Sequence, residues 1–230
     1  MCEIAINLRN TNDVSVNGVK VLVYGQAGAG KTHLIRTLPR PVILSAEGGL
    51  LSLQGTGIPY VEISNLATLT EAYKWLIDSS ETKGFDAVAL DSISEIAEVV
   101  LSSEKKTAKD PRQAYGAMAD QMTDLIRAFR DLPGKHVYFS AKMEKTQDEM
   151  GRLLYYPSLP GNKVGQQLPY FFDEVLALRV ERDSEGATQR ALMCESDGLW
   201  LAKDRSGKLS PWEEPDLGVI ISKIGGTTNE

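Results

Sequence analysis

Val19-Lys20-Val21-Leu22-Val23-Tyr24-Gly25-Gln26-Ala27-Gly28-Ala29-Gly30-Lys31-Thr32 is the stretch on which the fold turns. Its first six residues are a short, nearly unbroken apolar run, as expected of a parallel strand covered on both faces. The next eight spell GxxxxGKT. Glycines at this spacing let successive backbone N–H groups curl around phosphate oxygens. The helix expected next, carrying Leu34, Ile35 and Leu38, adds the favourable end of its dipole. Lys31 is placed to bridge the β- and γ-phosphates, and the Thr32 hydroxyl to ligate magnesium. A strand before and a helix after separate this string from a chance glycine turn. Gly25, Gln26, Ala27, Gly28, Ala29, Gly30, Lys31 and Thr32 are therefore read as a P-loop for ATP with Mg2+.

Working outward, three more apolar runs follow: 41–45, 85–90 and 136–140. Helical patterns separate them. Leu69, Tyr73, Leu76 and Ile77 share one face, with Thr68 and Glu71 expected as a capping box. Met118, Met122, Leu125, Ile126 and Phe129 form a second stripe. Strand and helix in alternation imply an α/β fold with a mostly parallel, doubly wound sheet. The last third differs. Runs at 175–180, 190–194 and 199–203 are separated by short polar turns and are expected as antiparallel strands added at one edge. Residues 1–18 are read as an N-terminal extension available for subunit contact, 19–222 as the ATPase domain and 223–230 as a disordered tail.

Composition narrows the class. The chain has 230 residues, 42% of them hydrophobic and 24% charged, as in an ordinary globular domain. No apolar run approaches the roughly 20 residues that span a bilayer, and the N-terminus lacks the order of a secretory signal. Cys2 and Cys194 show no metal or redox spacing, which suits reduced thiols and a cytoplasmic location. A net charge of −6 argues against a surface broadly coated for nucleic acid, though not against a local basic groove.

Three further residues are candidates for chemistry. Asp91 follows Val88-Ala89-Leu90, so it stands at the carboxyl end of a buried strand, where ligands bind in open α/β sheets. A carboxylate there holds magnesium through water, the Walker B role; the alternative is a cap for a helix over 93–101, which Asp91 or Ser92 can supply. Glu47 ends the run at 41–45 and precedes two glycines. On a strand next to the P-loop it would orient the water that attacks the γ-phosphate; otherwise it is a polar loop residue. Lys142 ends the run at 136–140, either touching the γ-phosphate or carrying a solvated surface charge.

The order of VLVYGQAGAGKT, LSAEGG, AVALDS, YGAMADQMTDLIRAFRDL, HVYFSAK and WLAKDR resembles the RecA-type recombinase core. It is most similar to the short phage-encoded Sak-type proteins that anneal single strands, over about residues 19–209. The resemblance implies that Glu47 is the water-activating carboxylate. It also implies that Lys203 and Arg205 act on a neighbouring subunit's ATP in a homo-oligomeric filament or ring. Lys142 departs from the polar sensor, such as glutamine, usual at that place. The chain also lacks an obvious additional DNA-binding domain, so annealing suits it better than full strand invasion.

Two loops would contact single-stranded DNA in such a protein. Residues 102–114 hold Lys105, Lys106, Lys109 and Arg112 against Glu104 and Asp110, a positive excess in an acidic chain. Residues 143–168 show no periodic pattern and are expected as a long functional loop. They hold Arg152, Lys163, Tyr155 and Tyr156, which can track phosphates and stack on bases; packing or a solvated face is the alternative for each. The functions in competition are annealing or strand exchange alongside a single-strand DNA-binding protein, a ring helicase or helicase-loader motor, and a nucleotide switch acting on a protein.

Overall fold

The computed structural model describes residues 17–225. Residues 1–16 of the expected extension, with Cys2, and residues 226–230 of the expected tail lie outside the described residues.

β1 (Lys20–Gly25) leads through the glycine turn into α1 (Lys31–Leu34), then β2 (Pro41–Ser45) and β3 (Tyr60–Glu62). α2 (Leu66–Asp78), β4 (Ala87–Asp91), α3 (Ile93–Thr107) and α4 (Pro111–Arg130) follow. Next come β5 (His136–Gln147), β6 (Leu153–Ser158), α5 (Asn162–Gln167) and β7 (Glu174–Arg182). β8 (Thr188–Met193), β9 (Lys203–Asp204), β10 (Trp212–Glu213) and α6 (Leu217–Gly225) complete the chain. One sheet runs in the order β10-β8-β7-β1-β5-β4-β2-β3, with β6 added to β5 and β9 to β7. The strands from β7 to β3 in that order are parallel; β6, β8, β9 and β10 are antiparallel additions.

The central strands lack alternation because both faces are covered. Leu22, Leu44, Leu90 and Phe139 meet α2, α3 and α4 on one side. Val21, Val23, Ile43 and Tyr138 meet α1 and α6 on the other. All eight are 1% exposed or less, so truncating Phe139 to Ala would cost about 3–5 kcal/mol. Cys194 is a buried free thiol, and burial pushes it up to about 12.

Several expectations need correction. β7 pairs in parallel with β1, Val21 facing Glu174 and Tyr24 facing Ala177, so it extends the parallel sheet rather than starting the antiparallel edge. The run at 199–203 is no strand; it makes a single bridge from Trp200 to Tyr155 before the two-residue β9. The helix after the P-loop is one α turn followed by a 3-10 turn over 35–37. The cap of α2 is Asn65, whose side chain accepts from the Thr68 N–H; an Asn one turn earlier does what Thr68 was expected to do. α6 runs to Gly225, past the boundary expected at 222.

Both expected DNA loops are largely regular structure. Residues 102–107 complete α3, and Asp110 with Pro111 opens α4 as N-cap and first-turn proline. Residues 143–158 form the β5–β6 hairpin, whose tight turn is organised by Asp148 accepting from the Met150 and Arg152 N–H groups, with Gly151 at φ 78°.

Candidate active site

The carboxyl ends of β1, β4 and β2 bring the P-loop, Asp91 and Glu47 to one edge of the sheet, level with Lys142, which does not end its strand as expected because β5 runs on to Gln147 in the hairpin with β6. Gly28 and Gly30 take φ values of 76° and 108°, a region that strains any residue with a side chain. Gly28 has open space around it, so backbone conformation alone demands glycine there. The turn is anchored from outside by the buried Tyr138, whose hydroxyl donates to the Lys31 carbonyl at 2.8 Å. Lys31 Nζ donates to the carbonyls of Gly25 and Gln26 at 2.9 and 3.0 Å. Burial lowers its pKa, while the charges of Glu47 and Asp91 pull it back up.

Asp91 is 2% exposed. Its Oδ2 accepts from Thr32 Oγ1 at 2.7 Å and its Oδ1 from Ser140 Oγ at 2.5 Å. Burial raises the carboxyl pKa, and the two hydroxyls hold it down. The two residues assigned to magnesium from sequence are thus in direct contact. A hydroxyl and a carboxylate are the hard oxygen donors that Mg2+ takes. With Mg2+ held there, phosphate oxygens and water would supply the remaining ligands. That fits an ion carried in with a nucleotide.

Ser92, not Asp91, caps α3: its hydroxyl accepts from the Glu95 N–H. Asp91 is left free for the site. The same Ser92 hydroxyl donates to Glu47 Oε1 at 2.5 Å. Glu47 does not lie on a strand adjacent to the P-loop strand, as expected; β5 and β4 intervene. It reaches the site because the loop after β2 carries it over the end of β4. Lys142 faces Gly25 in register, and its ammonium pairs with Glu95 in the first turn of α3, which raises its pKa. Glu47, Ser92, Glu95 and Lys142 therefore form a polar row beside Asp91. Such a row can fix a carboxylate and a cation around the terminal phosphate.

The other sequence candidates fall elsewhere. β9 lies beside the amino end of β7, the edge opposite the P-loop of the same chain, and carries Lys203 with Arg205 just beyond it. Lys203 Nζ donates to the carbonyls of Pro169 and Phe172 at 2.7 and 2.6 Å. Arg205 pairs on the surface with Asp173 at 2.7 Å. Lys105, Lys106, Lys109 and Arg112 are exposed where α3 meets α4, and Lys105 Nζ sits 5.3 Å from the Tyr115 ring centre. In the hairpin, Arg152 pairs with Asp148 and Tyr156 is half-buried in β6. Tyr155 is already stacked, 4.3 Å from Trp200 at 7°. Lys163 belongs to α5, and its side chain lies outside what is described. Sequence reasoning missed Ser140, Tyr138, the Ser92 link and Arg190, whose Nε donates to the Ala29 carbonyl at 2.9 Å. A small hydroxyl near the end of the 136–140 run was the signal for Ser140; Arg190 offered none.

With this geometry in view, comparison with known proteins decides the family. A family model described as an AAA domain matches residues 17–206. The chain belongs to that family. It is a P-loop ATPase, and the AAA domain spans the P-loop, Asp91 and every parallel strand. Solved structures similar to this AAA-domain ATPase include a KaiC-like protein from the archaeon Pyrococcus horikoshii, at 12% identity and a TM-score of 0.43, covering 77% of this chain and 78% of that one. A prototypical ATPase from the type III secretion system of pathogenic bacteria is similar at 14% identity and a TM-score of 0.48. That alignment covers 70% of this chain and 52% of the other. No curated protein matches the sequence. Among the described residues of the AAA-domain ATPase, no helix is long and apolar enough to cross a membrane.

Proposed function

We propose that this ATPase binds single-stranded DNA and promotes strand annealing or exchange in phage recombination, as the Sak-type proteins that its sequence resembles do. Lys31 and the P-loop hold the phosphates, Thr32 and Asp91 hold Mg2+, and Glu47 orients the attacking water. Lys142 answers to the γ-phosphate through its pairing with Glu95. In a homo-oligomer Arg205, exposed on the edge opposite its own P-loop, would leave Asp173 for the ATP of a neighbouring copy, with Lys203 bracing the segment behind it.

The observation that carries the DNA reading is the outer end of α3. Lys105, Lys106, Lys109 and Arg112 are all exposed there, interleaved with the exposed Tyr115 ring. The acidic neighbours are occupied: Glu104 accepts from Gln121, and Asp110 from the Arg112 N–H. Cations beside an exposed aromatic ring are what a single strand needs, phosphates on the one and a base on the other once Lys105 turns from the ring to a phosphate. The other end of the same helix starts at Ser92 in the ATP site, so one rigid element joins nucleotide to DNA. The β5–β6 hairpin contributes less: Glu144, Asp148 and Glu149 outnumber Lys145 and Arg152, Arg152 pairs with Asp148, and Tyr155 is spent on Trp200.

The test is ATP hydrolysis with and without single-stranded DNA at several salt concentrations. Salt-sensitive stimulation supports the reading, and a strand-separation assay then distinguishes annealer from motor. No stimulation together with no binding overturns it in favour of a switch whose partner is a protein.

A further inference from the structure

Tyr115, Met118, Ala119, Pro160 and Val164 enclose a cavity of about 370 Å3 between α4 and the turn that follows β6. That volume is at the small end of what holds an organic ligand. Met118, Ala119 and Val164 are buried, and with Pro160 they offer no side-chain donor or acceptor. The Tyr115 ring, 40% exposed, is the aromatic wall.

Two glycines shape this cavity. A β-carbon at Gly161 would stand 3.3 Å from Tyr115 Cδ1 and 3.6 Å from Met118 Cε, so the backbone of the turn closes directly against the ring. Gly116, inside α4, also lines the space, and a β-carbon there would meet nothing within 4 Å. Glycine inside a helix costs stability relative to an ordinary residue, and here it leaves the space beside the ring unfilled. The surroundings are basic. Arg112 precedes Gly116 by one turn of α4 and shares its face. Lys105 Nζ stands 5.3 Å from the ring centre, and Lys106 and Lys109 are exposed at the same end of α3. An apolar slot with one aromatic wall and cations around it matches the two ends of a nucleotide, its base and its phosphate.

We propose that this cavity takes one unstacked base of a bound single strand, held against the Tyr115 ring while Lys105, Lys106, Lys109 and Arg112 hold the flanking phosphates. The walls meet the base by its face rather than its edge, so any base serves. This rests on the DNA reading and adds to it the seat of a base.

Fluorescence anisotropy on the full chain tests it with two probes of equal length and charge. One is a thymidine oligonucleotide, and the other its wholly abasic counterpart, which reads phosphate contacts alone. Wild type binds the thymidine strand roughly tenfold more tightly than the abasic one, the scale of one stacked base. Gly116→Leu fills the cavity from a helix position that favours leucine over glycine. It brings the two affinities close together by weakening the thymidine strand, and leaves the abasic strand bound as before. Tyr115→Leu removes the aromatic wall at an exposed position and shifts the affinities the same way, so the test stands even where leucine at 116 disturbs the fold. A preference that persists in these variants, or equal weakening of both strands, overturns the cavity as the seat of a base. Equal binding of the two strands by wild type overturns the base contact, leaves the phosphate contacts standing and gives the cavity to an apolar side chain of a protein partner. Failure of wild type to bind either strand removes the DNA reading and this inference together.

Discussion

The Ser92 hydroxyl donates to Glu47 Oε1 across 2.5 Å, joining the loop after β2 to the residue that follows Asp91. One hydroxyl thus orients the carboxylate, and by accepting from the Glu95 N–H it also starts α3. A general base must be held in place before its basicity matters.

Glu47→Gln keeps the acceptor for Ser92 and removes the base. Hydrolysis should fall by about 10²–10⁴-fold while ATP affinity stays within a few-fold. Single-turnover hydrolysis beside equilibrium binding separates the two. Undiminished hydrolysis would end the water-activating role. Ser92→Ala should lower hydrolysis less, and should also cost about 1 kcal/mol of stability through the lost cap.

Thr32 and Asp91 are in contact at 2.7 Å, and Ser140 holds the other carboxylate oxygen. Asp91→Asn preserves the shape and removes the charge. ATP titrations with and without Mg2+ should show the magnesium-dependent gain reduced by about 10–100-fold, the usual cost of losing an outer partner of a metal. Magnesium-free binding should hardly change. Lys31→Ala, by contrast, should abolish tight ATP binding in either condition.

How much of this was legible beforehand depends on what makes a pattern. The P-loop and Asp91 were readable because buried parallel strands leave unbroken apolar runs and their carboxyl ends are where ligands bind. Strand order was not readable, because which strands become neighbours is set by crossovers rather than by local periodicity. Glu47 was therefore placed one strand from the P-loop when it is three away. The β5–β6 hairpin left no alternation because much of it projects with neither face buried; Glu144, Lys145, Thr146 and Gln147 are all exposed. Asp110-Pro111 did carry a helix-start signal that charge counting obscured. Leu217, Ile220 and Ile224 showed helical spacing in a segment assigned no element.

The basic end of α3 makes a quantitative prediction. Lys105 and Lys106 also suit the negative end of the helix dipole, so their neutralisation carries a small stability cost of about 0.3–1 kcal/mol each. If they and Lys109 hold phosphates, replacing all three with Gln should weaken single-strand binding. It should also flatten the slope of log affinity against log salt by about 2. Fluorescence anisotropy across a salt series measures both. An unchanged slope would move the DNA elsewhere.

Away from the site, two buried ionisable groups at the amino edge of the sheet set opposing pH dependences. Glu174 is wholly buried on β7 facing Asp204 of β9, and neither of its oxygens makes a regular hydrogen bond. Asp204 is itself engaged by Ser206, Gly207 and Leu209. Burial, with the facing carboxylate added, pushes Glu174 from its ordinary 4.5 up to about 8. Between those values the folded chain holds a proton that the unfolded chain has released, so stability falls as pH rises through that window and is level above it. Lys20, 7% exposed and donating to the carbonyls of Leu132 and Lys135, is lowered by burial from 10.5 to about 8. There the unfolded chain binds more protons, and stability recovers as pH rises from about 8 toward 10.5. Together the two groups place a stability minimum near pH 8. Urea unfolding midpoints across pH 5–10 should show it, with Glu174→Gln removing the acid-side slope, on the order of a few kcal/mol. A slope that persists in the variant would mean that Glu174 folds as a charged group and that some other residue carries the proton.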